Sequence, residues 1–163
     1  MKEITIELNE KSIDYAIKKL KEYKRWVAQK TGELEERLAM IGAKEASVRF
    51  ASAIYDGDND THVSVEQISD GWKITANGNA VCFIEFGAGV YHNGTEPYPS
   101  NRPEGVSRIG EYGKGHGKRN AWGYTDSDGS TVITRGNPAA MPMWYATEEM
   151  RASVQKIAKE VFK

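Results

Sequence analysis

Residues 62–86 run HVSVEQISDGWKITANGNAVCFIEF, and the way this stretch divides decides the fold. HVSVEQI sets Val63 and Val65 on one face of an alternating run, and WKITA does the same with Trp72, Ile74 and Ala76. Alternation with a period of two is the pattern of half-buried strands. AVCFIEF is nearly continuous apolar and is taken as a third strand bounded by turn residues. The links are Ser-Asp-Gly at 69–71 and Asn-Gly-Asn at 77–79. Asn-Gly is a strong short-hairpin signal because both residues tolerate positive φ. The stretch predicts a three-stranded antiparallel meander over 62–87.

Upstream, ITIEL at 4–8 alternates and suggests a short strand or an extended lead-in. From Ser12 onward, Ile13, Ile17, Leu20, Val27, Leu34, Leu38 and Ile41 recur at helical spacings and form one stripe of a long helix. Gly32 marks a candidate bend and Gly42 a candidate C-cap or hinge. AKEASVRFASAIY continues the helical region, which spans 13–55, and DGDND ends it with turn-forming side chains. Downstream, STVIT predicts a further strand over 130–135 whose partner the sequence does not reveal. Pro142 suits a first helical turn, and Met143, Ala146, Met150, Val154, Ile157 and Val161 then form a stripe for a C-terminal helix over 142–162. The expected class is α+β: an antiparallel sheet of the meander plus at least one more strand, packed against a long N-terminal helix and a C-terminal helix, with a long loop insertion.

The 163 residues, 39% hydrophobic and 28% charged, fit one globular domain with a real core. A net charge of -1 gives no global attraction to nucleic acid or anionic membrane, so charge-driven binding must be local. MKEITIELNEK lacks the apolar core of a signal peptide, and no apolar run reaches the ~20 residues of a membrane span, so a soluble protein is expected. The lone Cys82 sits in an apolar run as a small buried hydrophobe, which suits a reducing compartment.

Residues 88–129 are too long for an ordinary connection. They are rich in Gly and Pro, yet carry Tyr91, Tyr98, Tyr112, Trp122 and Tyr124, aromatics that need a surface to pack on. This composition points to an arm ordered against its own body or, preferably, against another subunit. Within it, GKGHGKR contributes Lys114, His116, Lys118 and Arg119 without the spacing of a phosphate-binding P-loop. A basic tip that meets an acidic neighbour is favoured, and Asp56, Asp58, Asp60, Glu66 and Asp70 supply such an acidic surface for head-to-tail association.

His62, His92 and His116 with Cys82 lack metal-knuckle spacing, so no metal or cofactor is expected. No nucleophile motif is present, and neither Cys82 nor Glu85 has a base at reachable spacing, so no catalytic residue is assigned. Glu85, between Ile84 and Phe86, is the most awkward residue, because a carboxylate in an apolar run must face solvent or find donors. It is expected to accept backbone N–H groups from the loop that begins at Gly87, so that Glu85, Phe86 and Gly87 anchor that loop.

These stretches resemble a known family. FIEFGAG at 83–89, the glycine- and aromatic-rich GEYGKGHGKRNAWGY, and TRGNPAAMPMWYATEEM at 134–150 are similar to the gene-product-ten-like tail components of long-tailed, HK97-type phages and prophages. The specific parts are Glu85, Phe86 and Gly87, and the Gly-x-Pro-Ala-x-x-Pro segment Gly136, Pro138, Ala139 and Pro142. Ala88 and Met143 stand where that family often has threonine and phenylalanine. The resemblance implies a neck protein of the virion (tail completion, tail terminator or head-tail joining) assembled in the host cytoplasm. It implies a ring, sixfold to match a tail tube, that docks to tail-tube and connector proteins around a lumen through which DNA passes. It implies no active site. The alternative is a nucleic-acid-binding module using Arg102, Arg108, Lys114, Lys118 and Arg119 with aromatics stacking on bases. A small hydrolase built on Glu85 or Cys82 is the third reading.

Overall fold

The structure is a computed structural model that describes residues 5–55, 57–89, 122–126, 128–134, 136–137 and 139–163. Its class is α+β, with a long N-terminal helix, antiparallel strand pairs and a C-terminal helix.

Helix α1 (Glu10–Ser52) is one uninterrupted element of 43 residues. Asn9 caps it, its side chain accepting the Ser12 N–H at 2.9 Å, and the Ser12 hydroxyl accepts the Glu7 N–H at 2.9 Å in return. Gly42, a candidate C-cap or hinge in the sequence, instead lies inside the helix. A Cβ there would stand 2.6 Å from Met150 Sδ and 2.9 Å from Ile74 Cδ1, so this glycine permits close packing and does not end the helix. Residues 5–8 form no strand, and the alternation of ITIEL ends in the cap of α1.

Strands β1 (His62–Ile68) and β2 (Gly71–Asn77) pair antiparallel as expected, with Val63 opposite Ala76 and Val65 opposite Ile74. The third meander strand is corrected: Val81–Phe86 is a six-residue helix, α2. Burial shows why. Ala80, Ile84 and Glu85 are buried while Cys82, Phe83 and Phe86 are half-buried, a helical spacing that a continuous apolar run conceals in the sequence. The Asn-Gly at 77–78 therefore opens no hairpin. The Asp60 carboxylate accepts the N–H groups of Asn79 at 2.8 Å and Ala80 at 3.0 Å and turns the chain into α2. Gly78, at φ 138, passes so close that a Cβ would meet the Asp60 carbonyl oxygen at 2.7 Å.

Beyond α2, β3 (Ala88–Gly89) pairs with β6 (Gly136–Asn137), and β4 (Trp122–Thr125) pairs with β5 (Thr131–Thr134). The expected fourth strand thus finds its partner in Trp122–Thr125, a stretch assigned to the loop, and the strand pairs are three separate two-stranded ladders. Helix α3 (Pro142–Val161) runs back along α1, with Arg49 against Tyr145, Gly42 against Met150 and Trp26 against Phe162. The core lies where they meet: Ala46, Phe50, Ala80, Ile84 and Ala146 are buried, and Val63, Ala76, Val81 and Met143 pack on them. No helix among the described residues is long and apolar enough to cross a membrane.

Candidate functional site

The two segments that carry the resemblance meet in space. At their junction α3 starts abruptly: Met141 adopts a left-handed conformation (φ 50, ψ 46) and offers no side-chain cap. Pro142 at the first helical position has no N–H to satisfy. The next two donors, Met143 and Trp144, would be orphans. Glu85 accepts both, through Oε2 to Met143 N at 2.8 Å and through Oε1 to Trp144 N at 3.2 Å. A residue 58 positions upstream therefore serves as the N-cap of α3, and its negative charge sits at the positive end of the helix dipole.

Among the described residues the donors to Glu85 are Met143 and Trp144 at the start of α3, while the loop expected to supply donors lies, beyond Gly89, outside the described residues. The chemistry, a buried carboxylate satisfied by backbone N–H groups, is the one anticipated. Glu85 is only 6% exposed, and such burial demands these partners.

Three further contacts fasten the junction. Ala140 N donates to Ile84 O at 2.9 Å, Asn137 Nδ2 donates to Phe83 O at 2.8 Å, and Ala88 and Gly89 pair with Asn137 and Gly136. Gly87, at φ 72, passes Ala139 so closely that a Cβ would lie 2.7 Å from its backbone nitrogen. Both the conformation and the space require glycine there. Ala139 and Met141 are buried with Trp144 and Tyr145 against them, and the Arg49 guanidinium covers the Tyr145 ring at 3.9 Å.

Residues 90–121 lie outside the described residues, and the strand pair that precedes them, β3–β6, is part of this junction. Gly89 pairs with Gly136 and Trp122 pairs with Thr134, so the described residues on either side of 90–121 pair with positions only two apart in the sequence. Trp122 and Tyr124 lie on β4. Tyr91, Tyr98, Tyr112, Lys114, His116, Lys118, Arg119, Arg102, Arg108, His92 and Pro138 lie outside the described residues, as does Asp56.

The remaining candidates are dispersed. Cys82 is half-buried on α2, and His62 is exposed on β1 opposite Asn77. Among the described residues no cluster of three His, Cys, Asp or Glu side chains could hold a metal ion. Of the acidic residues before β2, Glu66 pairs with Lys73 across the hairpin at 2.6 Å. Asp60 is held below the usual carboxylate range by the N–H groups of Asn79 and Ala80. Asn137 and Met141 escaped the sequence reading, and Asp60 was read only as part of an acidic surface. Asn-x-x-x-Met-Pro contains the signal for the first two, since the residue before a proline is kept out of the right-handed helical region.

Comparison with protein-family models, curated proteins and solved structures returns no match.

Proposed function

We propose that the chain is a structural protein of the neck of a long-tailed phage or prophage, acting in tail completion, tail termination or head-tail joining. It self-assembles into a ring, docks on tail-tube and connector proteins, and lets DNA pass through its lumen. The observation that carries this reading is that the pairings flanking residues 90–121, Gly89 with Gly136 and Trp122 with Thr134, fall two positions apart on the segment that leads into the Glu85 junction, whose residues are those on which the resemblance rests. A long segment bearing tyrosines between two such pairings is suited to reach a neighbouring copy and bury apolar surface there. The work is mechanical, and no residue is given a catalytic role.

Sedimentation velocity and electron microscopy of the purified chain test the reading. Closed rings are expected, and replacing residues 90–121 by a short Gly-Ser linker should abolish them while the far-UV helix signal persists. A chain that stays monomeric at every concentration, or rings that survive the deletion, would overturn it.

A further inference from the structure

Charge and apolar surface are segregated along α1. On its N-terminal half, Ile13, Ile17 and Leu20 are exposed and follow one another at helical spacing. Ile17 lines a shallow surface groove with Lys18, Lys21 and Arg25, joined by Asp14 and Glu22. Further along the same helix carboxylates stand exposed beside Arg37, which is itself engaged by Glu33 and Glu160. Glu35 and Glu36 are exposed and the turn between β1 and β2 sits beside them, since a Cβ at Gly71 would lie 3.9 Å from Glu35 Oε2. That turn presents Asp70 and the exposed Ile68. Glu35, Glu36 and Asp70 form no ion pair among the described residues.

The basic groove cannot reach the acidic turn of its own chain. The helical rise holds Lys21 and Glu35 about 21 Å apart on one rigid element. Two complementary surfaces fixed at such a separation cannot pair within one chain, and because they differ, a contact between them across copies is head-to-tail. We infer that the N-terminal half of α1 in one copy docks on the β1–β2 turn and Glu35 of the next copy. Lys18 and Lys21 face Glu35 and Asp70, and the Ile17–Leu20 stripe covers Ile68. This rests on the ring reading and adds a second contact to the one proposed for residues 90–121. The occupant is a second copy and not a polyanion, because the chain itself carries the matching acidic and apolar surface beside a net charge of only -1.

The test is a charge swap read by sedimentation velocity on the full chain. Lys18→Glu with Lys21→Glu, and separately Glu35→Lys with Asp70→Lys, should each weaken self-association by roughly tenfold or more, and high salt should weaken the native contact. Leu20→Asp should weaken it at any salt. Mixing the two charge-reversed proteins should restore assembly, since each then offers what the other lacks. Native-strength association of either reversed variant, or failure of the mixture, would overturn the docking mode while leaving the ring reading intact. A native chain that is monomeric throughout, with or without binding to heparin, would overturn both.

Discussion

From Trp26 to Phe50, α1 lies against the rest of the chain: Trp26 meets Phe162 edge-on at 5.8 Å, Arg37 reaches Glu160 at 3.6 Å, and Ala39, Ala43, Ala46 and Phe50 are buried. From Glu10 to Tyr23 the same helix buries Ala16 but exposes Ile13, Tyr15, Ile17, Leu20 and Tyr23. Length alone forces part of this difference, because 43 residues of α1 span about 64 Å and 20 residues of α3 about 30 Å. Composition does the rest. The covered half presents Ala and Gly where α3 approaches, letting backbones come close, whereas the other half presents large aliphatic and aromatic side chains. Apolar surface of that size on a charged helix is more economically explained by a contact than by solvent.

The sharpest way to break the comparison is to truncate one apolar side chain in each half. Phe50→Ala should cost about 3–5 kcal/mol in urea unfolding, since Phe50 is fully enclosed by Ala46, Ile84 and Ala146. Leu20→Ala, measured on dilute monomer, should stay within about 0.5 kcal/mol. Equal costs would mean that the N-terminal half is part of the same core.

A smaller effect is expected at the far end of the covered region. Glu85→Ala strands the N–H groups of Met143 and Trp144 and should lower stability by about 1–3 kcal/mol. Glu85→Gln keeps an acceptor and should lose less. Because this carboxylate fixes where α3 begins, its loss should also loosen the α1–α3 contact, seen as faster amide exchange at Ala146 and Met150 than at Ile13. A uniform change along α1 would argue against that.

The two glycines of α1 sharpen the contrast from within the helix. A Cβ at Gly32 meets nothing within 4 Å, so Gly32→Ala should stabilise by about 0.5–1 kcal/mol through helix propensity and a less free unfolded chain. Gly42→Ala should gain nothing, because its Cβ must push Met150 and Ile74 aside. Thermal unfolding of the two variants decides this directly.

Gly42 also marks where the sequence stopped being legible. A glycine that ends a helix and a glycine that admits a crossing helix look alike until the partner, α3, is placed. The helix of α1, the β1–β2 pairing and the start of α3 at Pro142 were legible because each is set by residues within a few positions of one another, although the expected stripe of Ile13, Ile17 and Leu20 is exposed and small residues with Phe50 form the buried face. AVCFIEF was not, because its helical conformation depends on Asp60 accepting N–H groups from 19 and 20 residues away. Glu85 shows the intermediate case. Its need for backbone donors followed from its apolar neighbours, but those donors lie across the fold. The site was legible as chemistry and hidden as geometry.

The smallest expected effect compares two carboxylates, one on the exposed half of α1 and one beside the end of its covered half. Glu22, on the exposed half, is held below its usual range mainly by hydrogen bonding to Lys19, with the two side chains 3.0 Å apart. Asp60 sits where Asn59 ties back to the end of α1, its Nδ2 donating to Phe50 O at 2.8 Å, and is held low first by the Asn79 N–H and then by that of Ala80. Both groups are depressed, so each contributes stability that is present above its ordinary value, about 3.9 for Asp and 4.3 for Glu, and is lost as pH falls through the lower folded value. The causes differ in their response to salt. The Lys19 pair is solvent-exposed and screened, whereas fixed backbone N–H groups are not. In melting curves below about pH 4, Asp60→Asn should flatten the acid-induced loss of stability at low and high salt alike. Glu22→Gln should flatten it only at low salt. If salt erased the Asp60 effect, that carboxylate would be acting through distant charges, and the Asn79–Ala80 turn would be formed without it.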